Sequence, residues 1–152
     1  MRSFASLIAL VALFGPTLHS QSTAASAPGL KPEQIPQECK ALDGYFPVDI
    51  QTAMLWEKTD LYKNVMPLPV SKNAQSFLCQ GNQGTVYFFQ FSNGADRKTA
   101  AAFIKPLLWG QSGPTADHPE LVLEAGDVVT VVSFRKVPRL LVAKLQSGAT
   151  RK

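Results

Sequence analysis

Gln75-Ser76-Phe77-Leu78-Cys79-Gln80-Gly81-Asn82-Gln83-Gly84-Thr85-Val86-Tyr87-Phe88-Phe89-Gln90-Phe91 is the stretch on which the fold turns. Two β-rich runs, Gln75 to Gln80 and Thr85 to Phe91, flank Gly81-Asn82-Gln83-Gly84, the pattern of a hairpin with a four-residue loop. In the second run Val86, Phe88 and Gln90 point one way, while Tyr87, Phe89 and Phe91 point the other. Both faces are largely apolar, which predicts a central strand covered on both sides. Aromatics at this density also suit a stacking platform for sugars or bases. With both faces apolar, core packing explains them better.

Downstream of this hairpin the pattern changes period. Asn93 is placed to cap a helix, with Asp96 in the first turn where a negative charge is favourable. Ala100, Phe103, Ile104, Leu107 and Leu108 follow the spacing of a buried helical stripe. Pro106 falls inside it and is expected to kink or shorten the last turn, and Gly110 is a natural stop. Gln111 to Pro119 reads as loop. Leu121 to Glu124 and Val128 to Phe134 make a second hairpin around Ala125-Gly126-Asp127. Pro138 opens a final helix that turns Leu141, Val142 and Leu145 inward and ends before Gly148. The order ββαββα predicts an α+β fold: an antiparallel sheet of about four strands with helices packed on it in a two-layer arrangement.

Upstream, the chain carries no such elements until Glu38. Asp49 is placed to cap a short helix with Ile50, Ala53, Met54 and Leu61 on one face, with an extended strand as the alternative. The Pro67-Leu68-Pro69 run after it must be extended. Residues 23–37 are rich in Ser, Ala, Gln and Pro and read as a disordered leader. Before them, Met1-Arg2 gives a positive start, Phe4 to Phe14 is almost wholly apolar, and Gly15-Pro16 breaks the run. A small-residue segment follows. This is the layout of a secretory signal peptide over residues 1–22, cleaved somewhere between Ser20 and Ala25. The apolar run is shorter than the roughly 20 residues that span a bilayer, so the mature chain is expected to have no transmembrane anchor. The expected organisation is completed by one α+β domain over 38–147 and a basic tail over 148–152.

Export places Cys39 and Cys79, the only cysteines, in an oxidising compartment, where a pair in a small domain is most simply a disulfide. A redox pair would normally sit as C-x-x-C, a spacing the chain lacks. The expected location is the periplasm or the extracellular space.

Composition narrows the function classes. Charged residues make up 17% of a 152-residue chain, too few for a highly charged disordered effector. The net charge of +4, reduced by one when Arg2 leaves, falls short of the dense positive field of a nucleic-acid binder. No glycine-rich phosphate loop is present, because Gly81 to Gly84 joins two strands and lacks the lysine. Gly110-Gln111-Ser112-Gly113-Pro114 imitates a nucleophile elbow, but proline stands where the second glycine belongs and a helix precedes it. The donor supply for a metal is poor, since the exported part keeps one histidine. Neither a metal nor an organic cofactor is expected.

Two functional readings remain. Arg135, Lys136, Arg139, Lys144, Arg151 and Lys152 crowd the last eighteen positions with no acid among them. Such a cluster attracts anionic partners, and Arg135, Lys136 and Arg139 are the candidate binding residues of a non-catalytic domain that meets a protein or an anionic envelope component. A sheet face left uncovered would be a second binding surface. The alternative is a small hydrolase using the region around His118, where Asp117, Glu120, Glu124 and Asp127 supply carboxylates. Neighbours in an extended, proline-bearing loop usually point apart, and nothing in the spacing forces two acids into one cleft. Binding is therefore the favoured reading, and no catalytic residues are assigned.

Overall fold

The computed structural model describes residues 28–44 and 68–148. The signal region, the helix expected after Asp49 and the last four residues lie outside the described residues.

A single five-stranded antiparallel sheet organises the domain. The strands are β1 (Cys39–Leu42), β2 (Ser71–Cys79), β3 (Asn82–Gln90), β4 (Leu121–Ala125) and β5 (Val128–Phe134), in the spatial order β1-β2-β3-β5-β4. Helix α1 (Gly94–Trp109) joins β3 to β4, and α2 (Arg139–Gly148) follows β5. The α+β class and the antiparallel sheet are as expected. The strand count is five rather than about four, because β1 pairs with the edge of β2 through the register Cys39↔Cys79 to Leu42↔Ser76. Four residues with no alternating pattern carry no recognisable strand signal of their own.

Strand β3 is central and apolar on both sides, and the two helices answer that demand from opposite faces. On one face Ala100, Ala101, Ile104 and Leu108 of α1 pack over Tyr87, Phe89, Phe91, Val129 and Val131. On the other, Leu141 and Leu145 of α2 pack with Phe77, Val86, Phe88, Val132 and Phe134. The expected two-layer arrangement is thus corrected to three layers: helix, sheet, helix. The reason is the burial pattern of β3 and β5, both faces of which are apolar, so that one row of apolar side chains would be left in water if both helices shared one side.

The first hairpin is tighter than its glycines suggest. Cys79 pairs with Asn82, so the turn is the two-residue Gln80-Gly81, with φ of 50° and 79°. Positive φ at both central positions is the signature of the turn whose twist matches the strands. Gly84, expected in the loop, instead lies inside β3 and pairs with Phe134 of β5. The second hairpin turns on Gly126-Asp127, with Ala125 already in the strand.

Helix α1 begins as expected. The Asn93 side-chain oxygen accepts hydrogen bonds from the backbone N–H groups of Ala95 and Asp96, each at 2.9 Å. Pro106 does not shorten the helix, which runs on to Trp109. The carbonyl of Ala102 loses its helical donor at this proline, and Ala102 and Pro106 both lie on the solvent side. The Pro106 carbonyl then accepts from Gly110, closing the last turn at 2.8 Å.

Ordered structure also starts earlier than expected. Residues 28–37, assigned by composition to a disordered leader, form a strap across β2 on the α2 face. The Gln75 side-chain amide grips Leu30 like a strand neighbour, accepting from its N–H at 2.8 Å and donating to its carbonyl at 2.9 Å. Asn73 donates to the Pro28 carbonyl at 2.9 Å. Leu30 itself joins the α2-face core, and a 3-10 turn, Pro32–Gln34, carries the chain on towards β1. Proline-rich composition marks a segment unable to fold alone, not one unable to dock.

Candidate functional site

The crosslink is present: Cys39 and Cys79 form a disulfide between the directly opposed first residue of β1 and last residue of β2. The loop it closes spans the segment between the two strands, so its effect is on the unfolded chain more than on any site.

The hydrolase candidates are scattered. Asp117 is exposed and His118 half-buried in the loop before β4. There the Thr115 N–H donates to the His118 carbonyl and the Thr115 hydroxyl accepts from the His118 N–H, each at 3.1 Å. These bonds shape a local turn. Glu120 is buried at 3% exposure, where its backbone carbonyl accepts from the Trp109 indole at 3.1 Å. Glu124 is an ion-pair partner on the α1 face, with the Lys105 ammonium at 2.6 Å and the Arg97 guanidinium at 3.9 Å. Arg97 also donates to the Gly126 carbonyl. These contacts fasten α1 to the β4–β5 hairpin. Among the described residues, no group of three or more His, Cys, Asp or Glu side chains is gathered to hold a metal ion.

The basic candidates lie where β5 hands over to α2. Arg135 and Lys136 leave the end of β5, and Arg139 is the first residue of α2; all three are exposed. The Asn82 side chain donates to the Lys136 carbonyl and so ties this connection to the start of β3. No acid stands in the first turn of α2, and among the described residues none of the three cations forms an ion pair. The contrast with Lys105 and Arg97, both engaged by Glu124, is a direct one.

A feature that the sequence patterns did not expose lies at the other end of α2. A cleft of about 670 Å³ opens between the strap, the β4–β5 hairpin and the last turns of α2. Leu30, Phe88, Leu123, Val128 and Leu145 supply apolar wall, and Thr130, Gln34 and Gln146 supply uncharged polar groups. Of the acids considered for hydrolysis, Glu124 alone borders it, and that carboxylate is already paired on the α1 side. The one sequence sign of this cleft is Thr130, a hydroxyl in the otherwise apolar run Val128 to Val132.

Neither protein-family models nor known proteins nor solved structures match this chain.

Proposed function

We propose that this chain is an exported, non-catalytic binding domain whose basic edge, Arg135, Lys136 and Arg139, docks on an anionic component of the cell envelope. The carrying observation is the exposure of three neighbouring cations that lack ion-pair partners among the described residues. Their rigid mounting supports the same reading, since one end of the cluster continues a buried strand and the other opens a helix. The disulfide suits an oxidising compartment, in keeping with the signal-peptide pattern of residues 1–22. No helix among the described residues is long and apolar enough to cross a membrane. Attachment to the envelope would then be peripheral and electrostatic.

The test uses the secreted protein and two kinds of vesicle, phosphatidylglycerol and phosphatidylcholine. Expected is sedimentation with the anionic vesicles alone, reversed by high salt. Replacing Arg135, Lys136 and Arg139 by alanine should weaken that binding roughly tenfold or more, since each cation near an anionic surface contributes about 1 kcal/mol. Equal binding by the triple variant would overturn the reading. The N-terminal sequence of the secreted protein checks the export half: cleavage between Ser20 and Ala25 is expected, and a start at Met1 would refute it.

A further inference from the structure

The cleft beside the strap is a second surface, at the opposite end of α2 from the basic edge, and its chemistry differs. Its volume lies within the roughly 300–1,000 Å³ of ordinary small-molecule sites. Phe88, Thr130 and Leu123 are consecutive partners across β3, β5 and β4, so their side chains share the same face of the sheet. Thr130 is only 8% exposed, yet its hydroxyl is not among the enclosed unpartnered side-chain atoms of the described residues and so stays open to the cleft it lines. A hydroxyl open to a cleft both donates and accepts, so a ligand's hydroxyl or carbonyl can take the place of the water that reaches it. Here the open group sits between an aromatic ring and a leucine on the floor of an apolar cleft.

Among the described residues the lining also carries no free charge. Gln34 and Gln146 are neutral, the Gln34 side-chain oxygen accepts from Lys31 at 2.8 Å, and Glu124 is held by Lys105. Among the described lining residues an anion would meet no cation, and a cation no available carboxylate. Either would lose its hydration without replacement.

We propose that this cleft binds a neutral, mainly apolar small molecule whose single hydroxyl or carbonyl group hydrogen-bonds Thr130. Its aliphatic or aromatic body lies against Phe88, Leu123 and Leu145. The strap contributes Leu30 and Gln34 to the opposite wall, so the site depends on the docking of the strap to β2 by Gln75. This function is independent of the basic edge, which addresses charged surfaces and whose Arg135, Lys136 and Arg139 do not line the cleft.

The experiment follows backbone amide shifts in NMR spectra of the full secreted protein during titration with octanol, and separately with octanoate. Expected is saturable movement of the Thr130, Leu123 and Leu145 amides with octanol, and at least tenfold weaker binding of octanoate, reflecting the cost of burying its charge. Thr130→Val keeps the shape and β-branching of the side chain and so preserves the fold, which its unperturbed spectrum would verify. That variant should bind octanol about fivefold more weakly, the loss of one neutral hydrogen bond. No saturable shift at these amides in the wild-type protein would overturn the site. Equal binding of octanoate would overturn the neutral class, and equal octanol binding by Thr130→Val would overturn the role of the hydroxyl. None of these outcomes bears on vesicle binding, so the two functional proposals stand or fall separately.

Discussion

Gly84 and Phe134 are direct partners across β3 and β5, and the phenylalanine ring occupies the space where a side chain on residue 84 would begin. A Cβ at position 84 would lie 2.3 Å from the Phe134 ring and 2.4 Å from the Ser133 carbonyl. The glycine therefore serves close packing in the middle of a sheet, not the freedom of a turn. Phe134 is 1% exposed and belongs to the α2-face core, so the ring has little room to retreat.

Gly84→Ala is accordingly expected to destabilise the domain by about 1–3 kcal/mol, the range of overpacked cores. Urea unfolding measures it as a lower midpoint with an unchanged slope. Combining it with Phe134→Leu should cost less than the sum of the single changes, because part of the clash is with the ring. Full additivity would mean that the backbone carbonyl alone accounts for the strain.

Removing the crosslink by Cys39→Ser together with Cys79→Ser should lower stability by about 4 kcal/mol, the chain-entropy value for a loop whose ends lie 40 residues apart. The same loss is expected on adding a reductant to the wild-type protein, read as a shift in unfolding midpoint. A shift within experimental scatter would show that β1 stays paired to β2 without the bond.

The Gln75 side chain replaces a missing strand by bonding both backbone groups of Leu30. Gln75→Leu removes both bonds while keeping the bulk. Hydrogen exchange at the Leu30 amide should then accelerate by tenfold or more, roughly one to two neutral hydrogen bonds. Amides in β5 should stay protected, because their ladder to β3 and β4 is untouched. Unchanged exchange at Leu30 would mean that its burial, not the amide clamp, holds the strap.

Asn93→Ala strips α1 of its cap and leaves the Ala95 and Asp96 N–H groups without their acceptor. The expected loss is about 1 kcal/mol, measurable as a fall in Tm. Asn93→Ser or Asn93→Asp should recover most of it, since either side chain presents an oxygen at the same place.

Particular residues show why some of this was legible and some not. The alternation of Val86, Tyr87, Phe88 and Phe89 announced a strand buried on both faces, because side chains two apart in a strand must point the same way. The stripe of α1 and its Asn93 cap were equally local. Which helix covers which face was not, since either assignment satisfies the same two periodicities. The strap was missed because its affinity for β2 resides in Gln75 and Asn73, more than 40 positions away. The basic edge was visible as a run without acids, whereas Arg97 and Lys105 became ordinary ion-pair partners only once β4 was placed beside α1.

The chain's own order of residues was enough to specify an α+β domain with a central two-faced strand, a helix capped by Asn93 and a pair of cysteines available for bonding. Local periodicity and capping act over a few residues, and they are written directly in the sequence. The three-layer arrangement, the β1-β2-β3-β5-β4 order, the docked strap and the neutral cleft with its open Thr130 hydroxyl came from tertiary structure alone. Each depends on groups far apart in the chain meeting at one surface, and which groups meet is decided by burial of the whole core, not by any single segment.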